Sequence, residues 1–368
     1  MDMDAKLRKI CEGFRIEGEY LGYTHIKVGN VNQTYRVTFR KDSGLEKNYI
    51  VQQVNTYAFR QPEQLMYNID RITEHIRAKK HGGVALHFHH TGDRKTYIYD
   101  EEHGFWRLCN FIPSVTYNSS TDDEVLRRSG EAFGEFQMLL SDFPVTDLYE
   151  TIPNFHNTPK RLEKLFADAR EDPLGRAGQV RGELEYIAGV REQAEQLTRL
   201  YEAGKLPLRV THNDTKINNV LFHEQTHQAM AVVDLDTVMP GLMGHDFGDA
   251  IRFATNFVEE DSPNWQGAGC DLERFRVFAD GFLSQTAPVL TQKELDTLPL
   301  SVFSIAVELA SRFLDDYLLG DLYFHIAYPE HNLVRARCQL AMAKDVLGKI
   351  PRMQEILGQC YAKAMAAQ

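Results

Sequence analysis

The chain has 368 residues and a formal net charge of −11, from 52 acidic against 41 basic side chains. That length favours two packed subdomains over one core, and the acidic balance argues against nucleic-acid binding, which normally shows a basic excess or stripe. With 43% apolar and 25% charged residues, the composition is that of an ordinary soluble globular protein.

The N-terminus, "MDMDAKLRKICEGF", carries charges throughout and lacks the apolar run of a signal peptide. Leu7, Ile10, Cys11 and Phe14 stand at helical spacing within residues 5–14. Strand-like pieces follow: "THIKV", then "TYRVTF" after a turn at Gly29–Asn32, then "NYIVQQV" after "RKDSGLEK". Strands joined by polar turns predict an antiparallel sheet. Pro62 opens a helix through about Lys80, with Leu65, Ile69, Ile72 and Ile76 on one face. "KTYIYD" and "GFWRLCNFI" read as a further hairpin closed by Pro113. From Asp122 the pattern turns helical: 122–141, 159–170, a long helix near 176–203, then 271–285, 292–318 and 330–366. The expectation is an α+β, bilobal chain, with a β-rich N-terminal lobe over 1–113 and a larger helical C-terminal lobe over 114–368.

No segment approaches 18 uninterrupted apolar residues, so no membrane span is expected. Five widely spaced cysteines without C-x-x-C fit a reduced, cytoplasmic compartment.

Between Leu208 and Phe222, "LRVTHNDTKINNVLF" sets a polar cluster between two apolar runs. Phosphoryl transfer to a hydroxyl needs an acceptor for the hydroxyl proton and divalent metal on the nucleotide phosphates. The pattern H-x-D-x-x-x-x-N supplies both, Asp as base and Asn on the metal. His212, Asp214 and Asn219 fit it at each fixed position. Alone, so short a match is a modest signal. The following "NVLFHEQTHQAMAVVD" reads as a hairpin with its tip at Gln225–Gln228. Pairing Val220 with Val233 places Asn219 beside Asp234, two oxygen ligands that suit Mg²⁺. Asp236 points the same way and is a candidate for a second metal. His212 reads as a structural residue that orients the loop.

"HDFG" at 245–248 spells a kinase metal motif, but lies 27 residues beyond Asn219. Asp246 is therefore expected to accept backbone N–H bonds and fix the loop, and Asp249 to do the same or face substrate. "HFHH" at 87–90 lacks the acids or cysteines of a zinc site and reads as a surface strand. Glu308 and Arg312, four apart on a helix, form either a local ion pair or a ligand contact. "VGNVNQTY" is a weak phosphate-loop signal. The third strand, where a kinase places its phosphate lysine, carries Gln52 and Gln53. Either the enzyme does without that charge or it does not transfer phosphate.

"RVTHNDTKINNVL", "VVDLDTVMPG", "DFGDAIRF", "RFLDDYLLGDLYF", "YPEHNLVRARCQ" and "IVQQVNT" together resemble the N-acetylhexosamine 1-kinases. These belong to the aminoglycoside-phosphotransferase and choline-kinase-like group. The resemblance runs from about Phe14 to Leu347, and that family also has Gln in place of the strand lysine. It implies a protein-kinase-like fold with ATP between the lobes, near Asn32 and Gln52, and adenine on the backbone near Asn110–Ile112. Asp214 is implied as the base and Asn219 with Asp234 as the Mg²⁺ ligands, with Asn32, Arg312 and Tyr323 on the sugar. One departure is the turn "KVGNVN", where the family reads closer to G-D-G-H-I-N. The implied partners are a small sugar and ATP, with no nucleic acid and no membrane. Two alternatives stand beside this reading. One is a kinase of the same fold for another hexose, choline or an aminoglycoside, with "EEDSPNW" at 259–265 as a cage for a cationic acceptor. The other is a nucleotide-binding pseudokinase scaffold, which the intact Asp214, Asn219 and Asp234 oppose.

Overall fold

The computed structural model describes residues 2–27, 31–80 and 83–367. Helix α1 (Met3–Gly13) leads into strands β1 (Glu19–Ile26), β2 (Gln33–Arg40) and β3 (Glu46–Gln53), followed by helix α2 (Pro62–Lys79). Strands β4 (Ile98–Asp100) and β5 (Gly104–Asn110) complete an antiparallel sheet of order β1-β2-β3-β5-β4. Period-two patterning decides which face each helix covers. Tyr35, Val37 and Phe39 of β2, with Tyr49 and Val51 of β3, bury against Leu7, Ile10, Cys11 and Phe14 of α1. On the other face Phe105 and Cys109 meet Leu65, Met66, Ile69 and Ile72 of α2. That second core continues into Phe136, Leu140, Val210, Leu235 and Val238, so the same apolar layer that seats α2 joins the sheet to the helical lobe.

The helical lobe comprises α3 (Asp123–Leu139), α4 (Thr158–Glu171), α5 (Arg181–Ala194), α6 (Gln196–Glu202), strands β6 (Arg209–Thr211), β7 (Val220–Phe222), β8 (Ala229–Val232) and β9 (Met239–Gly241), then α7 (Met243–Ala254), α8 (Leu272–Thr286), α9 (Gln292–Leu319) and α10 (His331–Ala366). Helix α9 is long and apolar enough to cross a membrane by composition, but 83% of its most apolar window is buried in the lobe core.

Four expectations need correction. The helix near 176–203 is two helices, α5 and α6, which meet at buried Glu195; its carboxylate takes Arg191 at 2.5 Å and Arg199 at 2.8 Å. Residues 87–90 are no strand: Phe88 makes one bridge to Cys109, while His87 and His90 bond Glu74 and Asp70 on α2. The hairpin is shifted by one, pairing Val220 with Val232: its tip is centred one residue earlier than expected, with Phe222 opposite Ala229, and the irregularity at Leu221/Phe222 takes back part of that offset. Helix α7 is absent from the expected helices, which resume only at 271 after the cluster. Its Gly244 and Gly248 are packing glycines: a Cβ on Gly248 would lie 2.6 Å from the Ser301 carbonyl oxygen of α9. Of the unusual turn, Lys27 is described, while Val28, Gly29 and Asn30 lie outside the described residues.

Candidate active site

Strand β6 pairs with β9 and delivers the chain into residues 212–219. His212 is fully buried beneath Phe133 and Phe136. One ring nitrogen, Nε2, lies 2.9 Å from the Val233 carbonyl, and the Asp214 amide donates to the other at 3.3 Å. The carbonyl can only accept, so the ring proton sits on Nε2 and the histidine serves as a strut between the loop and the hairpin. Asn213 is left-handed, with φ of 65°, and its Nδ2 donates to the Thr237 carbonyl at 2.9 Å. Below, α7 presents two carboxylates. Asp246 accepts the amides of His212 (2.9 Å) and Asn213 (2.7 Å) and Gln137 Nε2 (2.5 Å). Asp249 accepts the Thr215 amide at 2.8 Å while Arg252 holds its other oxygen at 2.6 Å. Burial pushes the Asp246 carboxyl up; at Asp249 burial acts the same way, but Arg252 and Lys216 outweigh it and the pKa falls. Thr211, His212, Asn213 and Thr215 are all buried, while Asp214 between them is partly open, its side chain 28% exposed, with Lys216 beside it at 33%. Lys216 Nζ lies 3.0 Å from Asp214, and the Asp214 charge raises the lysine pKa.

Asn219 Nδ2 donates to the Asp214 carbonyl at 2.8 Å and lies 3.3 Å from Oδ2, which leaves its Oδ1 as the available oxygen. Across the hairpin the Val233 amide donates to the Asn219 carbonyl at 2.9 Å, so Asn219 opposes Val233 and Asp234 follows it around a left-handed turn, φ 61°. Asx residues tolerate this region best among side chains. Enclosure by the walls of the site, then the charges of Asp236 and Asp214, push the Asp234 carboxyl up to about 6. The side chain itself opens to solvent, so the neighbouring charges are the part a cation would cancel. Among the described residues no three His, Cys, Asp or Glu side chains form a metal site by themselves. One carboxylate and one amide oxygen do suit Mg²⁺, whose shell is ordinarily completed by phosphate and water.

Asp236 does not open toward that pair. It is buried, ion-paired with Arg107 of β5, and accepts Asn32 Nδ2 at 2.5 Å. Burial works against the Arg107 charge, but Asp236 overcomes it and raises the pKa. Arg107 Nε also donates to Gln52 Oε1 at 2.9 Å, and Gln52 Nε2 reaches Thr34 Oγ1 at 3.0 Å. Both ends of Gln52 are thus occupied, and a cation stands beside it from the next strand. Asn32 is similarly committed, its Oδ1 accepting the Asn55 amide at 3.0 Å. At the exit from the sheet, the Asn110 side chain turns back to accept the His87 amide at 2.7 Å and donate to the Ala85 carbonyl at 3.1 Å. Ile112 is buried and its carbonyl accepts Ser114 Oγ at 2.8 Å.

On the far side of Asp214, Glu308 and Arg312 do not pair. Glu308 is buried and takes His156 Nδ1 and Thr158 Oγ1, both at 2.8 Å, and His156 Nε2 lies 3.4 Å from the Asn213 carbonyl. The Arg312 guanidinium lies over Phe155, 5.3 Å from the ring centroid, and over Phe324 at 5.5 Å. Tyr323 is 72% exposed on the α9–α10 loop. Asp316 fixes that loop by accepting the amides of Leu322, Tyr323 and Phe324 at 2.8–2.9 Å. In the 259–265 stretch, Glu260 is paired with Arg252 at 2.5 Å and Asp261 with His331 at 3.1 Å. Glu260 and Asp261 are thus engaged with other side chains, and Glu259 is left as the exposed acid of the stretch.

The sequence model of the phosphotransferase enzyme family matches residues 22–279. The chain belongs to that family. Solved structures agree in fold across nearly its whole length. A microcompartment-associated aminopropanol kinase is 14% identical at a TM-score of 0.61, covering 95% of this chain and 98% of its own. An amicoumacin kinase, solved with AMP-PNP, Ca²⁺ and amicoumacin, is 12% identical at 0.58, covering 93% of each. Choline kinase from Cryptosporidium parvum is 12% identical at 0.52, covering 92% of each. The architecture is therefore the bilobal kinase-like α+β fold. Within this family member, sequence reasoning missed Arg107, His156 and Asp316. A lone arginine inside "FWRLC" was the one available signal for the first, whereas His156 and Asp316 sit in unremarkable local sequence.

Proposed function

We propose that the protein is an ATP- and Mg²⁺-dependent kinase that phosphorylates the anomeric 1-hydroxyl of N-acetylglucosamine or N-acetylgalactosamine. The observation that carries phosphotransfer is the partly open carboxylate of Asp214 on a loop doubly anchored by buried carboxylates, beside Asn219 and Asp234. The sequence blocks shared with N-acetylhexosamine 1-kinases support the acceptor.

In this reading the sugar oxygen attacks the γ-phosphorus of ATP, the bond to the β–γ bridging oxygen breaks, and Asp214 takes the hydroxyl proton. Lys216 Nζ lies 3.0 Å from that carboxylate. Asn219 Oδ1 and Asp234 would hold Mg²⁺, which supplies charge neutralisation on the phosphates when bound. Asp236 would act one step back, keeping Arg107 and Asn32 in place instead of meeting a second ion. Asn32 and Gln52 would flank the nucleotide, with adenine on the backbone near Asn110 and Ile112. Arg312 and Tyr323, with Asn32 from the other lobe, would orient the ring so that the anomeric oxygen faces Asp214.

The solved relatives named for amine-bearing substrates make another small alcohol the second reading. Glu260 and Asp261, engaged with Arg252 and His331, leave only Glu259 exposed among the acids at 259–265, which works against a cationic one. A panel of N-acetylhexosamines, hexoses, choline and an aminoglycoside, followed by ADP release, separates the two. Stimulation by the N-acetylhexosamines above all others is the expected result; stimulation by an amine alone would replace this proposal with the second reading.

A further inference from the structure

Beside the candidate base, two arginines converge where no carboxylate answers them. Arg161 comes from α4 and Arg312 from α9, and Phe155 lies between them. Arg161 Nη2 donates to the Phe155 carbonyl at 3.3 Å, and Arg312 covers the Phe155 ring. Phe155 precedes His156, whose ring reaches the carbonyl of Asn213, so the pair stands next to the loop that carries Asp214. Among the described residues, no acidic oxygen lies within 4.0 Å of either guanidinium. The acids nearby have other partners: Glu308 holds His156 and Thr158, Asp214 holds Lys216, and Asp315 holds Lys164 through Oδ2 while its Oδ1 has no hydrogen-bond partner. Arg161 Nε is buried and has no hydrogen-bond partner. Burial lowers the Arg161 pKa and the Arg312 charge lowers it further, and Glu308 and Asp315, beyond ion-pair distance, only partly oppose them.

Two like charges, partly desolvated and with a donor left unused, are unfavourable by themselves. Arginine forks recover that cost best when a planar oxygen acceptor enters. The whole molecule, at −11, would draw ammonium compounds toward itself; this patch has the opposite sign.

We infer that Arg161 joins Arg312 as a specificity residue of the acceptor site, selecting hydroxyl compounds that carry an acyl or carboxylate oxygen and rejecting those that carry an ammonium group. The inference rests on Asp214 being the base and on the acceptor binding beside Phe155.

The test compares N-acetylglucosamine with glucosamine, which differ at the 2-substituent, in wild type, Arg161→Gln and Arg161→Lys. Wild type should favour the acetamido sugar by about 100-fold in kcat/KM, the scale of one close like-charge contact. Arg161→Gln should raise KM for N-acetylglucosamine about tenfold or more, leave kcat within about threefold, and shrink the preference to below about tenfold. Arg161→Lys should keep most of the rejection. Arg161→Gln gives up the 3.3 Å bond to the Phe155 carbonyl but no ion pair, so its thermal midpoint should change little, whereas loss of an arginine that holds the fold would lower it markedly. An unchanged preference in a folded Arg161→Gln enzyme overturns the inference. Should neither sugar release ADP from wild type, the N-acetylhexosamine proposal fails, and the inference is then decided by calorimetry with the protein and an ATP analogue. Glucuronate binding tighter than glucosamine, with the difference lost in Arg161→Gln, upholds it; equal binding overturns it.

Discussion

Asp246→Asn changes one atom and isolates what the carboxylate of the "HDFG" motif does. Its Oδ2 accepts the His212 amide at 2.9 Å and Gln137 Nε2 at 2.5 Å, and Oδ1 accepts the Asn213 amide at 2.7 Å. An asparagine keeps the first two bonds if its oxygen takes the Oδ2 position. Its NH₂ then faces the Asn213 amide, and one buried donor goes unanswered at a cost of about 1–3 kcal/mol. Part of this is offset, because burial disfavours the ionised Asp246 and the neutral amide escapes that penalty. The net expectation is a loss of about 1–2 kcal/mol in urea unfolding. Displacing Asn213 also displaces Asp214, so kcat should fall about 10–100-fold. The half-saturating Mg²⁺ concentration should stay within about twofold, because the metal is assigned to Asn219 and Asp234. A variant with unchanged unfolding and a Mg²⁺ requirement raised more than about tenfold would make Asp246 the metal carboxylate and refute this reasoning.

Asp214→Asn should retain ATP and sugar binding by calorimetry while kcat falls by about 10²–10⁴; turnover above about half of wild type would remove Asp214 as base. The Asp234 carboxyl, raised from 3.8 to about 6, binds a proton more tightly in the folded chain. Its favourable contribution is therefore complete below pH 3.8 and lost as pH rises through about 6. Metal must displace that proton, so half-saturating Mg²⁺ should fall as pH rises from 5 to 7, by up to about tenfold per unit below pH 6. Asp234→Asn should abolish this slope and modestly stabilise the metal-free protein at pH 7; a slope that survives the substitution contradicts the assignment. Arg107→Met should cost about 3–5 kcal/mol, since Asp236 is left as a buried unpaired charge, and Asp236→Asn made in the same chain should recover part of it. Additive losses in the double variant would show that the two do not act as a pair.

The sheet was legible because Tyr35, Val37, Phe39, Tyr49 and Val51 alternate, and alternation survives any tertiary context. The hairpin that brings Asn219 near Asp234 was legible too, but its register was not. An earlier tip, with Phe222 opposite Ala229, and a slip at Leu221/Phe222 leave no mark in a run where every side chain on both strands is apolar. Helix α7 was hidden by glycines that look like breakers in sequence and serve as contact points with Ser301 in space. The break at Glu195 involves neither Pro nor Gly; two arginines four residues to either side hold the carboxylate. Arg107, His156 and Asp316 act across 55 to 152 residues or through backbone amides, and local spacing records neither.

The proposal that phosphate goes to the anomeric oxygen is tested most directly by following reducing power and ADP together. Phosphorylation at the 1-hydroxyl removes the reducing end, so the product no longer reduces ferricyanide. With enzyme, ATP and Mg²⁺, N-acetylglucosamine and N-acetylgalactosamine should lose reducing signal one-for-one with ADP formed. ADP accumulating while reducing power stays constant would place the phosphate on another hydroxyl and contradict the orientation assigned to Arg312, Tyr323 and Asn32.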